Sequence, residues 1–172
     1  MTVRVCAALL LCAGAVWMDL RSAAVSNIWL GLWLCAGAAE GLYRSGPAAL
    51  LPAAAGMAVP VLLLFPFFYF RMLGAGDIKL LAVLGSYLGP GDILWCLLAA
   101  FLTGAVLSVL LFLRNGGWKE RWAYFIRYVR AYAETGQKRP YRQPGTGSES
   151  LHMTVPILAA VLLWAGGLYP AV

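Results

Sequence analysis

Two aspartates are the residues of this sequence best placed to carry out chemistry, because each lies at the end of a long apolar stretch. Asp19 follows the first such stretch, and Asp77 begins the fourth. Acidic side chains next to hydrocarbon are costly, so they indicate a functional site by default. Two carboxylates that lie close together cannot both ionise easily and therefore share a proton. One can then act as a base on a water molecule, while the other acts as an acid toward a peptide carbonyl.

An aspartate pair does not by itself select one function. It fits an aspartic protease, which requires neither a metal nor a covalent intermediate, and it fits equally a proton-coupled carrier or a channel. The chain has one His, lacks the H-E-x-x-H, G-x-S-x-G and phosphate-loop motifs, and has four Cys without paired spacing. We therefore expect no metal site and no cofactor. Glu40 and Asp92, at the opposite ends of apolar stretches, are expected to be solvated surface residues.

The elements that must position the aspartates are membrane helices. Apolar residues make up 62% of the chain and charged residues 12%, with a mean hydropathy of +0.79. This composition excludes an ordinary soluble domain and a disordered chain. Because a membrane helix needs about 20 apolar residues, the charge-poor stretches predict an all-α polytopic protein with six transmembrane helices. We predict one domain over 1–172, with spans at about residues 2–19, 26–43, 47–70, 77–91, 92–113 and 151–169.

The distribution of Lys and Arg predicts the orientation of these spans. Eleven of the 13 basic residues fall in one set of alternate loops, and loops rich in Lys and Arg stay in the cytoplasm. We therefore expect a multi-pass protein of the plasma membrane with both termini outside. The connector 114–150 and the ends that carry Asp19 and Asp77 then lie on the cytoplasmic side.

The connector differs from the rest of the chain because its basic residues alternate with aromatic ones. Trp118, Trp122, Phe125 and Tyr132 fall on one helical stripe, with charged residues opposite. This pattern predicts a cytoplasmic amphipathic helix that lies against anionic lipid headgroups, and it does not favour nucleic acid. A solvated basic loop explains the same composition equally well.

Two motifs resemble those of prepilin peptidases, the bacterial membrane aspartic proteases of type IV pilus systems. Residues 74–80 read GAGDIKL and are similar to that family's G-x-G-D-x-K-L signature. Residues 19–27 read DLRSAAVSN and are similar to its D-x-R-x-x-x-I-P-N motif, with Val25 in the Ile position and Ser26 replacing Pro. Ser is an acceptable residue at a helix cap, so this replacement should not abolish the chemistry.

The resemblance implies roles for particular residues. Asp19 and Asp77 would be the catalytic pair, and Gly74 and Gly76 would shape the loop that carries Asp77. The implied substrate is a prepilin-like precursor with a short basic leader, cleaved just after a glycine at the cytoplasmic face of the membrane. A transporter or channel, and a non-catalytic pilus assembly factor, are the alternatives.

Three further residues of the motifs are candidates for supporting roles. Arg21 and Lys79 each follow an aspartate by two residues and could steer a carboxylate, although we favour contact with lipid phosphate. Asn27 closes the first motif. Larger family members carry an insert with Cys-x-x-Cys zinc ligands and also methylate the new pilin terminus. This chain lacks the insert and resembles the short form, so methyl transfer is not predicted, and the sequence predicts no oligomeric state.

Overall fold

The computed structural model describes residues 2–69, 73–115, 123, 126–127, 130 and 152–169 of the chain. These residues are helical apart from short connections and include no strand. The helices are α1 Thr2–Ser22, α2 Asn27–Ser45, a 3-10 helix Gly46–Ala49, α3 Leu50–Tyr69, α4 Ala75–Leu88, α5 Pro90–Asn115 and α6 Thr154–Ala165. The prediction of an all-α fold is therefore confirmed for the described part of the chain.

Three helical stretches among the described residues are long and apolar enough to cross a membrane. They are Val3–Ser22, Asn27–Tyr69 and Pro90–Leu111, and the second includes α2, the 3-10 helix and α3. α4 and α6 are shorter, with 14 and 12 residues. At a rise of about 1.5 Å per residue, α4 extends over about 20 Å, which is less than the roughly 30 Å of a hydrocarbon core. Six spans therefore stay a prediction.

The chain separates into two compact units. One contains residues 1–104 and 152–172, and the other contains residues 105–151. The first unit carries all the residues of the two aspartate motifs. Nearly all of the predicted connector 114–150, including the aromatic stripe of its amphipathic helix, lies outside the described residues. The single domain over 1–172 stays a prediction.

The junction between α4 and α5 shows how glycine and proline set the helix ends. Gly89 has a φ of 84°, which a residue without Cβ adopts at little cost, and its N–H donates to the carbonyl of Gly85 at 2.9 Å. Pro90 is the first residue of α5, where its missing N–H leaves no helical hydrogen bond unmade. The chain therefore stops one helix and starts the next within two residues.

α4 is the central helix of the first unit and packs against α1, α2 and α3. Its middle is buried almost continuously, which explains why its sequence is apolar without a helical stripe. Its closest contact is with α3, where Gly56 and Gly85 bring the two backbones together without intervening side chains. The buried residues of α4 are Leu80, Leu81, Ala82, Val83, Leu84, Gly85 and Tyr87.

Candidate active site

Asp19 lies in the last turn of α1, which continues beyond the predicted end of the span at residue 19. The Ser22 hydroxyl donates to the carbonyl of Met18 at 2.8 Å and so closes the helix end. The next residue, Ala23, has a φ of 50° and donates its N–H to the carbonyl of Asp19 at 2.8 Å. This left-handed residue ends the helix and turns the chain toward α2. Asp19 is therefore held by a regular helix, and its side chain is only 13% exposed.

Asp77 is the third residue of α4 and is partly buried. The preceding N-cap residue is Gly74, and the Asp77 carboxyl interacts with the Gly74 backbone amide. An acidic side chain at this position often reaches back to the free N–H groups of the first turn. A Cβ on Gly74 would lie 3.0 Å from Oδ2 of Asp77, closer than most Cβ contacts. Gly74 therefore leaves space for the carboxyl of Asp77.

The two glycines of this motif do not have a conformation reserved for glycine. Gly74 has a φ of −73° and a ψ of 145°, an extended geometry open to most residues, and Gly76 lies within α4. A Cβ on Gly76 would lie 4.0 Å from the backbone nitrogen of Val25, which is an ordinary contact distance. Space beside the carboxyl, rather than an unusual turn, is thus the visible property of Gly74.

The C-terminus of α1 and the N-termini of α2, α4 and α6 meet around the aspartates. The Lys79 ammonium donates to Oδ1 of Asn27 at 2.9 Å and joins the starts of α4 and α2. Asp19 and His152 both lie within electrostatic range of the Asp77 carboxyl. The fold therefore brings together two aspartates that are far apart in sequence, at one end of the first unit.

The predicted supporting residues have different contacts. Lys79 and Asn27 bind each other, as described above. The Arg21 guanidinium lies over the ring of Trp17, with its carbon 4.3 Å from the ring centre. This cation–π contact is typical of an arginine at a surface. Ser26 occupies the N-cap position of α2, as expected, but its side chain makes no capping hydrogen bond.

Two residues of the site were not predicted from the sequence. The Thr154 hydroxyl donates to Oδ2 of Asp19 at 2.7 Å, and Nδ1 of His152 lies 3.1 Å from the same oxygen. His152 is the one His of the chain, and neither His152 nor Thr154 lies in either aspartate motif. The available signal was the parity of the spans, which puts the start of the sixth span on the side of Asp19 and Asp77.

Two acidic residues that we expected to be solvated are instead paired. Glu40 is 19% exposed, with its carboxylate 3.1 Å from Nε of Arg4 and 2.6 Å from Nε of Arg44. Asp92 accepts a hydrogen bond from the Trp164 indole at 2.8 Å. The prediction of solvated surface was therefore wrong for both. Arg44 lies one turn further along the same helix as Glu40, whereas Arg4 and Trp164 come from other helices and are not revealed by the local sequence.

The site contains the carboxyls of two aspartates, the hydroxyl of Thr154 and the imidazole of His152. This set is suited to moving protons between a water molecule and a substrate. Among the described residues, no group of three His, Cys, Asp or Glu side chains has the arrangement of a metal site. The side chains gathered here can therefore serve as acids and bases.

Comparison with known proteins identifies the family. The model of the type IV leader peptidase family matches residues 5–109, which is more than half of the chain and includes both aspartates. No curated protein and no solved structure matches the chain. The chain therefore belongs to the type IV leader peptidase family, which confirms the resemblance found in the two aspartate motifs. The family indicates a membrane protease and implies a prepilin-like substrate.

Proposed function

We propose that this protein is an intramembrane aspartic endopeptidase that removes the leader of type IV prepilin-like precursors at the cytoplasmic face of the bacterial plasma membrane. One observation carries this proposal. The aspartates of the two motifs come from the end of α1 and the start of α4, and the charge of Asp19 acts on the partly buried carboxyl of Asp77. Membership of the leader peptidase family supplies the substrate class.

The proposed reaction uses one water molecule and one proton shared by Asp19 and Asp77. One carboxylate takes a proton from water as the water oxygen attacks the carbonyl carbon of the scissile peptide. The other carboxyl gives its proton to the carbonyl oxygen, which forms a gem-diol. The C–N bond then breaks as the nitrogen takes a proton from the first carboxyl, and a gem-diol hydroxyl returns a proton to the second. The aspartate pair ends in its starting state.

The short helices favour access of water to this pair. Six spans are part of the proposal, with α4 and α6 as the two that are shorter than a hydrocarbon core. If Gly89 lies at the outer interface, an α4 of about 20 Å leaves Asp77 up to about 10 Å inside the cytoplasmic boundary. A membrane protein accommodates such a mismatch by thinning the bilayer or by a water-filled cavity. Both allow water and an extended substrate segment to reach the carboxyls.

The substrate proposed here is a precursor whose short basic leader lies on the cytoplasmic side and precedes an apolar helix. Cleavage is proposed just after a glycine, between the leader and that helix. Contact of the basic connector 114–150 with anionic lipid headgroups belongs to the same proposal. Methyl transfer is left out of it, because only the larger members of the family carry the insert that accompanies that activity.

The test compares precursor cleavage by the wild-type chain, Asp19→Asn and Asp77→Asn in the same membranes. Asn keeps the size of the side chain but cannot exchange the proton, so we expect each variant to lose at least about a hundredfold in rate. Asp92→Asn is the matched control, because Asn retains an acceptor oxygen for the Trp164 indole. A folded Asp19→Asn or Asp77→Asn variant that still trims the leader would defeat the assignment of these aspartates as the catalytic pair.

A further inference from the structure

Asp19 is held by two side chains that lie outside the part of the chain matched by the family model. Thr154 is fully buried, and its Oγ1 donates to Oδ2 of Asp19 at 2.7 Å across 135 positions of sequence. Nδ1 of His152 lies 3.1 Å from the same oxygen. The matched region ends at residue 109, so neither contact belongs to the two aspartate motifs.

We propose that Thr154, together with His152, is a positioning residue that fixes the Asp19 carboxylate for proton transfer. This inference rests on the proposed function, because it assumes that Asp19 takes part in the reaction. In the described part of the chain, both polar side-chain contacts of the Asp19 carboxylate go to Oδ2. Oδ1 is then the oxygen that is oriented to exchange a proton with water or with Asp77.

The hydrogen bond of Thr154 differs from the usual behaviour of a buried threonine in a helix. Such a hydroxyl usually donates to a carbonyl one turn earlier, as Thr103 does to Ala99 at 2.8 Å. Thr154 is the first residue of α6, so no earlier turn of that helix exists to accept its proton. Its donor is available for another helix, and Asp19 of α1 is the acceptor.

α6 is anchored well enough to hold a carboxylate in place. Its C-terminal half is tied to α5 by the hydrogen bond from Trp164 to Asp92 at 2.8 Å. α6 packs along α1 as well. Positioning of a reacting group requires support of this kind, because a displacement of about 1 Å can cost about a hundredfold in rate.

His152 supplies the second contact with Asp19. Its side chain is 25% exposed, in contrast to the fully buried Thr154. It lies at ion-pairing distance from Asp19 and also acts electrostatically on Asp77. We therefore infer that Thr154 provides the fixed geometry, while His152 restrains the same oxygen from the more accessible side.

The kinetic test compares Thr154→Val, Thr154→Ser and the matched control Thr103→Val. Thr154→Val should lower kcat by about tenfold to a hundredfold, the effect of losing one hydrogen bond to a charged group. KM should stay within about twofold, because the substrate makes no contact with this hydroxyl. Thr154→Ser restores the donor and should recover kcat to within about threefold of wild type. Thr103→Val removes the hydroxyl of a threonine in α5 that donates within its own helix to Ala99, and should leave kcat near wild type.

His152 is tested by a second pair of variants. His152→Ala removes the contact with Oδ2, while His152→Asn puts an amide nitrogen close to the position of Nδ1. We expect kcat to fall for His152→Ala and to recover in part for His152→Asn. Equal losses in both variants would exclude a role for the nitrogen and leave only the shape of the imidazole ring.

A spectroscopic measurement separates this inference from the proposed function. The chain has three aspartates, Asp19, Asp77 and Asp92. A full-length chain with Asp77→Asn and Asp92→Asn, labelled with carbon-13 at its aspartate carboxyls, therefore reports the infrared carboxyl band of Asp19 alone. We expect Thr154→Val to shift this band and Thr154→Ser to restore it.

The possible outcomes are distinct. If Asp19→Asn and Asp77→Asn are inactive but folded Thr154→Val keeps the wild-type kcat and band, the positioning role is overturned and the proposed function stands. A kcat that falls as much in Thr103→Val as in Thr154→Val would also overturn it, because the loss would then be structural. If the aspartate variants still cleave, the proposed function falls, and the role of Thr154 in catalysis falls with it.

Discussion

At the residue scale, Gly74 shows how a motif glycine can be needed for the room that it leaves beside it and not for backbone flexibility. Its φ of −73° and ψ of 145° are open to alanine, so Gly74→Ala introduces no backbone strain. The new Cβ would lie 3.0 Å from Oδ2 of Asp77. The carboxyl is the far end of a side chain and can move by a few tenths of an ångström, so the fold should tolerate the change.

We therefore predict that Gly74→Ala lowers kcat by about tenfold, because the displaced carboxyl no longer has its productive geometry. The cost in stability should be about 1 kcal/mol or less, the usual cost of alanine at an N-cap. Cleavage rate and thermal unfolding in detergent are the measurements. Gly31→Ala is the matched control, because beyond its own stretch of helix no atom lies within 4 Å of a Cβ at Gly31. Wild-type kcat in Gly74→Ala would contradict the steric role of Gly74.

The residues of the site differ in how far the sequence could reveal them. Asp19 and Asp77 are marked by charge next to apolar stretches, and each lies in a local motif that a single sequence can show. Thr154 has no such mark, because an uncharged hydroxyl at the start of a helix is common. Its importance depends on a partner 135 positions away. Only the packing of α6 against α1 brings the two together.

The contact between α3 and α4 is the closest helix packing in the first unit and lies at the scale of elements. A Cβ on Gly56 would collide with the backbone carbonyl of Gly85, and a Cβ on Gly85 would collide with that of Gly56. Small residues allow membrane helices to approach in this way, and the approach provides dispersion contacts along both backbones. Neither backbone can move aside without separating the helices.

Gly85→Ala should therefore destabilise the protein by about 2 kcal/mol or more, because backbone atoms cannot yield as a side chain does. The buried middle of α4 would transmit the displacement to Asp77, so cleavage should fall together with stability. Unfolding in mixed detergent and precursor cleavage are the two measurements. Gly31→Ala again serves as the control, since it adds the same methyl group to a helical glycine in open space. A stable and active Gly85→Ala variant would show that α3 and α4 are not closely packed in the membrane.

Element boundaries show what charge patterns predict and what they leave out. The first span was predicted to end at residue 19, whereas α1 ends at Ser22. A charged residue marks where the apolar stretch stops, but backbone hydrogen bonds continue through it until Ala23 turns the chain. The last span was predicted over 151–169, whereas α6 covers Thr154–Ala165 and is followed by Gly167 with a φ of 71°. Hydropathy therefore locates the helices, and turn residues decide their ends.

At the scale of the whole molecule, the first unit has two polar ends. The aspartates, Lys79 and His152 lie at one end of their helices, where α1 finishes and α4 begins. At the other end, Glu40 near the finish of α2 pairs with Arg4 near the start of α1. Antiparallel neighbouring helices produce such an arrangement. The proposed orientation assigns the aspartate end to the cytoplasm and the Glu40 end to the outside.

This orientation predicts opposite labelling of two introduced cysteines. Ala24 and Ser45 are exposed and lie at opposite ends of α2, next to the aspartates and to the Arg4–Glu40 pair. In intact cells, a thiol reagent that cannot cross membranes should label Ser45→Cys but not Ala24→Cys, and permeabilised cells should show labelling of both. The unmodified chain gives the background from its own cysteines. The reverse pattern would turn the active site outward, where a leader kept in the cytoplasm by its basic residues could not reach it. The positive charge of the connector would then lie on the side that such charge disfavours.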